Sequence, residues 1–283
     1  MLRDLPIAIL LNSFSGKGKA IHICRSLEQI LTTENISFST FSDDWPLNLS
    51  GFSEAWVIGG DGTVNYYINR YPEHDIPFAI FKGGTGNDLS QKLYGDLSPE
   101  EQAHLVLKAS GKRIDAGNCN GRLYANSLGI GFDGEVLRSM NAVRWLGGHL
   151  GYLAVVIKNI FSFREIRFCI TAGDKIFKRE FLLVIVNNST TTGGGFLVSP
   201  AASLTDGKLD MVLCDKLPVL KRLRYLPVIE KGKHLSLPFI SYSRETTVNI
   251  ACEKEIFAQV DGELISATVF NISVSKDALF IKY

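Results

Sequence analysis

A chain of 283 residues is long enough for one large domain or two ordinary ones, and a fold of that size buries about three quarters of its unfolded surface. Thirty basic residues against 29 acidic ones leave a net charge of +1, so no global field draws nucleic acid and any phosphate site must be local. With 46% apolar and 21% charged residues, the composition excludes a disordered or fibrous chain.

Residues 5–11 form a short apolar run that reads as a strand, and a polar glycine turn over 12–19 ends it. Helical spacing follows over 21–31, then an alternating strand over 36–41. A buried strand at 55–58 runs directly into Gly59-Gly60-Asp61-Gly62, helical spacing resumes over 64–68, and a strand at 77–81 leads into Gly83-Gly84-Thr85-Gly86. Strands alternating with helices predict a mostly parallel α/β sheet.

Beyond residue 112 the texture changes to strand-like runs at 122–128, 166–172, 177–186, 207–214, 246–251, 256–260, 268–274 and 278–283, with helices near 142–161 and 217–232. The expectation is α/β plus β: a three-layer α/β domain over 1–117 followed by a β-rich sandwich domain over 118–283, with a ligand cleft between them. Five cysteines lie dozens of residues apart without a C-x-x-C pair, which reads as free thiols in a reducing compartment. The first apolar run is too short for a signal peptide, and the most apolar later stretch, 145–163, carries three glycines, His149 and Lys158. A soluble cytoplasmic protein is expected.

Three glycine turns, each after a strand, carry the chemistry: 12–19, Gly59-Gly60-Asp61-Gly62-Thr63, and Gly83-Gly84-Thr85-Gly86-Asn87-Asp88. In an open parallel sheet such turns collect at the carboxyl ends of the strands, where backbone N–H groups and helix N-termini cradle anions. Lys17 and Lys19 add positive charge, and Asp61 and Asp88 could organise a hydrated Mg²⁺ bridging phosphates. No G-x-x-x-x-G-K-[ST] occurs, which excludes a Walker loop. Gly129-Ile130-Gly131-Phe132-Asp133-Gly134 matches G-x-G-x-x-G, but no acid follows some twenty residues later to hold a ribose, which argues against a dinucleotide site.

GGDGTVN at 59–65, GGTGND at 83–88 and the opening NSFSGKGKA resemble the catalytic domain of diacylglycerol kinases, sphingosine kinases and the soluble bacterial lipid kinases. GGDGT alone is shared with NAD kinases and phosphofructokinases. Further blocks in the same order carry the resemblance on: IDAG at 114–117, ANSLGIGFD at 125–133, PAASLTDGKLD at 200–210 and QVDGE at 259–263. The resemblance implies an ATP-dependent kinase with nucleotide on the first domain and a lipid alcohol entering between the domains. Position by position, it implies that Asn12, Ser13, Phe14, Ser15, Gly16, Thr40, Gly59, Gly60, Asp61, Gly62, Thr63, Val64, Asn65 and Thr85 bind ATP. Glu263 would take the proton of the substrate hydroxyl, and Asp61, Asp88 and Asp115 would organise the catalytic Mg²⁺, Asp61 acting in catalysis. A second, structural Mg²⁺ would be held by Asp206 with the backbone carbonyls of Ser203 and Lys208. Ser13 departs from the family's usual proline.

Glu263 follows Asp261-Gly262, a turn that either aims its carboxylate at a substrate or is a plain solvated hairpin. Residues 145–163, bordered by Arg144, and 217–237, with Lys221, Arg222, Arg224, Lys231, Lys233 and His234, could line an apolar slot and touch an anionic inner-membrane surface transiently. Core helices with solvated basic faces are the rival reading. Two other functions stay open: an NAD kinase-like enzyme with a soluble acceptor, and a catalytically silent nucleotide-binding regulatory module. Which lipid is phosphorylated and the oligomeric state are not written in the sequence.

Overall fold

The structure, a computed structural model, describes residues 5–73, 76–142 and 149–283, with side chains outside 141–153. Contacts divide it into two compact units, one of residues 1–114 and 277–283, the other of residues 115–276.

The first unit is α/β. Strands β1 (Ile7–Leu11), β2 (Phe38–Ser42), β3 (Glu54–Gly59) and β4 (Phe78–Lys82) lie parallel in the order β4-β3-β1-β2. Every residue of β1 and β3 is buried, as a sheet covered on both faces requires, and that is why these strands read as unbroken apolar runs. Helix α1 (Lys19–Thr33) turns Ala20, Ile23, Leu27 and Leu31 inward, and α2 (Asp61–Arg70) buries Val64, Tyr67 and Ile68. Two helices not expected from the sequence follow, α3 (Asp88–Tyr94) and α4 (Pro99–Lys108). The start of α4 is a capping box: the Ser98 hydroxyl accepts from Glu101 N at 3.2 Å, and Glu101 Oε2 accepts from Ser98 N at 2.9 Å.

The second unit is β-rich and folds over itself like a sandwich. Its strands are β5 (Gly111–Cys119), which begins in the first unit, β6 (Arg122–Tyr124), β7 (Ser127–Gly131), β8 (Ile166–Ala172), β9 (Lys175–Asn187), β10 (Leu209–Asp215), β11 (Ile240–Glu245), β12 (Thr247–Val260) and β13 (Glu263–Lys282). The early half of β9 pairs with β8 and its later half with β7, while β12 pairs with the same two strands in turn. Between them lies a core of Phe168, Ile170, Phe181, Val184, Met211, Val248, Ile250 and Phe270. Alternate residues on β9 and β10, among them Ile185 and Val212, turn the other way, toward α7 (Val219–Glu230). Helices α5 (Phe132–Ala142) and α6 (His149–Ser162) complete that layer.

Several sequence expectations change. The runs at 246–251 and 256–260 are one strand with a register shift between Ala251 and Ile256, an irregularity that masked their continuity. The runs at 268–274 and 278–283 are likewise one strand. Residues 277–283, expected in the second domain, group with the first unit, where Ile281 pairs with Phe78 of β4. The helix expected near 142–161 is two helices, with 143–148 outside the described residues.

Candidate functional site

In the first unit, Leu11 lies beside Ile58, and Gly59 beside Lys82, so β1, β3 and β4 end together and the turns that follow share one end of the sheet. They touch backbone to backbone. Gly83 N donates to Gly59 O at 2.9 Å and Asn12 N to Ile58 O at 3.1 Å. A Cβ on Gly84 would stand 2.3 Å from Gly60 Cα, and one on Gly16 would stand 2.2 Å from Gly83 O, so no other residue fits at either place. Asn12 Nδ2 donates to Thr63 Oγ1 at 2.9 Å, and the Ser15 hydroxyl lies 3.4 Å from the same atom. Helices α1 and α2 both start here with glycine N-caps, Gly18 and Gly60, which lend no side chain to the first-turn N–H groups. Two helix N-termini without side-chain caps beside touching glycine turns are suited to a polyphosphate.

The sequence-predicted nucleotide residues divide on inspection. Asn12, Ser15, Gly16 and Gly60 belong to the turns, Gly59 ends β3, Gly62 and Thr63 lie in the first turn of α2, and Thr85 is exposed at the third glycine turn. Ser13 donates from its backbone and hydroxyl to Asp43 at 2.9 and 2.5 Å, and that hydroxyl holds the Asp43 carboxyl below its ordinary range. Phe14 projects into solvent, 86% exposed. Val64 and Asn65 are buried in α2, as is Thr63 before them. Thr40 lies within β2, where its hydroxyl donates to Glu28 of α1 at 2.6 Å, one strand away from β3 and its turn.

Asp61 has a structural duty that the motif does not reveal. Its carboxylate accepts Asp88 N at 3.2 Å and Leu89 N at 3.4 Å, serving the first turn of α3, while Asp61 itself stands in the first turn of α2. The acid therefore ties the second glycine turn to the third. Asp88 is buried beside it. Among the described residues no three His, Cys, Asp or Glu side chains form a metal-holding group. The chemistry still suits Mg²⁺, which takes oxygen donors, binds through one or two carboxylates and draws the remainder of its shell from water and phosphate.

In the second unit, Asp115 is buried and its Oδ2 accepts Gly207 N at 2.7 Å, so it braces the 203–208 turn. Asp206 on that turn accepts Lys208 N at 3.1 Å and pairs with Arg244 at 3.1 Å. The Ser203 hydroxyl is 3.4 Å from Thr205 N, which donates to it. Glu263 opens β13 with its side chain exposed, directly after Asp261 and Gly262, whose φ values of 47° and 82° make a tight hairpin turn. That turn is anchored: the buried Asp261 carboxylate accepts Ala125 N, Asn126 N and Ser127 N at 2.7, 3.0 and 2.8 Å. The GxGxxG glycines serve packing, since a Cβ on Gly134 of α5 would stand 2.3 Å from the Phe257 backbone.

An apolar cleft opens in the second unit between α5–α7 and β9 and β10. Val156, Ile160, Leu217, Tyr225, Leu226 and Ile229 line it on the helical side, and Leu183, Ile185 and Cys214 on the strands. Its empty space, solvent mouth included, is about 720 Å³. Both segments expected to line a slot therefore contribute, although residues 144–148 lie outside the described ones. The polar members are Thr192, Asp133 and Arg222, the last bound to Glu165 at 2.7 Å. Asp133 lies deep in the protein yet faces the cleft, and burial pushes its carboxyl up to about 6 against a hydrogen bond from Gln259. Asp133, Thr192, Gln259 and Asp261 were not singled out from the sequence. Only the resemblance blocks at 125–133 and 259–263 touched three of them, without assigning them roles.

Residues 6–119 match the diacylglycerol kinase catalytic domain family, and residues 126–282, more than half the chain, match the YegS C-terminal NAD kinase beta sandwich-like domain family. The chain belongs to the diacylglycerol kinase family of lipid kinases. It is 29% identical over 236 residues to a diacylglycerol kinase of Mycobacterium tuberculosis, covering 81% of this chain and 76% of that protein. A diacylglycerol kinase of Bacillus subtilis is 26% identical over 222 residues, covering 76% of this chain and 72% of that one. The fold is that of a diacylglycerol kinase crystal structure from Bacillus anthracis, with a TM-score of 0.75 at 21% identity over 98% of this chain and 96% of that one.

Proposed function

We propose that this diacylglycerol-kinase-family chain transfers the γ-phosphoryl group of ATP to the hydroxyl of a diacylglycerol-like lipid. The convergence of three glycine turns at one end of the parallel sheet carries the reading, because their touching backbones and two helix N-termini without side-chain caps suit the phosphates of a nucleotide. Phosphoryl transfer asks mainly for positioning and charge neutralisation. Gly16, Gly60, Gly84 and Thr63 would hold the phosphates, with Lys17 and Lys19 exposed nearby. Mg²⁺ at Asp61 and Asp88 would supply charge neutralisation on the phosphate oxygens when bound. The P–O bond to the ADP leaving group breaks, one forms to the lipid oxygen, and Glu263 takes the hydroxyl proton.

The apolar cleft supports a lipid acceptor, since its lining of aliphatic and aromatic side chains suits hydrocarbon. Membrane access has its own support. Ile157, Phe161 and Leu220 are 39%, 61% and 81% exposed on α6 and α7 beside the exposed Lys158, Lys221 and Arg224. Each basic group near an anionic surface is worth about 1 kcal/mol. No helix among the described residues is long and apolar enough to cross a membrane. The test is γ-labelled ATP offered with Mg²⁺ to diacylglycerol, a sphingoid base, phosphatidylglycerol and NAD in parallel. Label in a lipid product is expected; label in NAD alone would replace the reading with a soluble-acceptor kinase.

A further inference from the structure

The acid of the apolar cleft and the turn that presents Glu263 are joined through one side chain. Gln259 sits on β12 opposite Gly129 of β7 and is 6% exposed. Its Nε2 donates to Asp133 Oδ2 at 2.9 Å and to Ser127 Oγ at 3.0 Å, with Thr192 Oγ1 at 3.4 Å. Its Oε1 accepts Gly262 N at 3.0 Å. The orientation of this amide is fixed: turned over, its oxygen would face the Asp133 carboxylate and its NH₂ would face the Gly262 N–H, replacing attraction with repulsion at both ends. Gly129 makes the contact possible, because a Cβ there would stand 2.0 Å from Asp133 Oδ2.

We propose that Gln259 is a positioning residue that couples the polar end of the lipid cleft to the proton-accepting Glu263. The inference rests on the function proposed above and deepens it. Asp261 fixes the first residue of the turn through its own N–H to Ser127 O at 3.0 Å and through its carboxylate, whereas Gly262, the residue before Glu263, is held by Gln259. Asp133 and Thr192 both line the cleft and both lie against the Gln259 amide. A lipid group that hydrogen-bonds Asp133 therefore acts on the amide that anchors Gly262. Acceptor selection and base placement are thus one hydrogen-bonded unit, and a displacement at one end reaches the other through two bonds.

The experiment compares wild type with Gln259→Met, Gln259→Glu and the pair Gln259→Glu with Asp133→Asn, using a dispersed short-chain diacylglycerol, ATP and Mg²⁺. Backbone amide exchange at Gly262 is followed in the same proteins. Gln259→Met removes both bonds, and we expect kcat to fall about 10- to 100-fold at unchanged KM for ATP, with Gly262 exchanging at least about tenfold faster. Gln259→Glu keeps the acceptor for Gly262 but opposes Asp133, and is expected to lose about tenfold in kcat. In the paired variant the amide introduced at position 133 donates to the carboxylate introduced at position 259. The link is restored with its polarity reversed, and most of that loss should be recovered. Unchanged exchange at Gly262 in Gln259→Met, or a folded pair with no recovery over Gln259→Glu, would overturn the coupling. A Gln259→Met chain that does not fold leaves the decision to the Gln259→Glu and paired variants. Wild type turning over no lipid alcohol would sink the acceptor reading separately, and Gly262 exchange still decides the positioning role.

Discussion

The two units hold their candidate sites by opposite means. In the first, the proposed phosphate cradle is made of backbone: glycines that touch because they lack side chains, and helix N-termini capped by glycine alone. In the second, the cleft is made of side chains gathered from three helices and two strands, with an acid deep in the wall. A backbone site tolerates almost nothing at the glycines and much around them, while a side-chain site tolerates most single changes and answers in selectivity.

Substitutions can break that contrast in order of size. Glu263→Gln keeps the shape but removes the proton acceptor, and a loss of about 10² to 10⁴ in kcat is expected with ATP affinity intact. Undiminished turnover in the purified variant would remove Glu263 from the chemistry. Gly84→Ala drives a Cβ to 2.3 Å from Gly60 Cα, a clash between two backbones with no flexible partner to yield. ATP affinity by calorimetry should drop at least about 100-fold, or the first unit should fail to fold by circular dichroism, either being consistent with a loss of several kcal/mol. Ile229→Trp fills the cleft from α7 and should raise KM for long-chain acceptors about tenfold while leaving KM for ATP unchanged. Equal effects on both substrates would mean that the cleft does not take the acceptor.

Asp61→Asn tests the first unit more gently. The amide oxygen can keep only one of the two bonds from α3, its NH₂ facing the other N–H, and the charge that favours Mg²⁺ and the helix N-terminus is lost, so the Mg²⁺ concentration for half-maximal activity should rise several-fold, with a stability cost of about 1 to 3 kcal/mol. An unchanged Mg²⁺ titration would confine Asp61 to its capping role.

The same contrast decides what could be read before the fold was known. Gly59, Gly60, Gly83 and Gly84 are visible because a backbone site is spelled by the residues missing from it, and each turn sits just after a buried strand. Helix α4 was legible too, since Ser98-Pro99-Glu100-Glu101 is a complete capping box, but the expected elements stopped at the third glycine turn. What no sequence spacing could convey is the partner of a side chain. Gln259 meets Asp133 across 126 positions and Thr192 across 67, through antiparallel registers set by β7, β9 and β12. Asp61 was named for its motif, yet its bonds to the start of α3 depend on where the third turn folds back. Thr40, carried over from family position alone, is the residue the structure ties elsewhere, to Glu28 of α1.

An effect on stability rather than on turnover sharpens the comparison most, because it reads the cost of placing an acid in an apolar wall. Burial raises the Asp133 carboxyl to about 6, so as pH climbs the unfolded chain releases this proton first, near its ordinary value of about 4. Between those values the folded state holds the extra proton, and stability from this group falls with rising pH, levelling off above about 6. A rise of that size corresponds to at most about 3 kcal/mol, reduced by the solvent that reaches the cleft. Asp133→Asn removes that penalty while keeping an oxygen to accept from Gln259, so thermal unfolding at about pH 7.5 should move up by a few degrees and at about pH 4 by nearly nothing. A variant destabilised equally at both pH values would show that the carboxylate is compensated in place. The acid would then be part of the packing of α5 on β7, and the cleft would offer an acceptor lipid no uncompensated charge to bind.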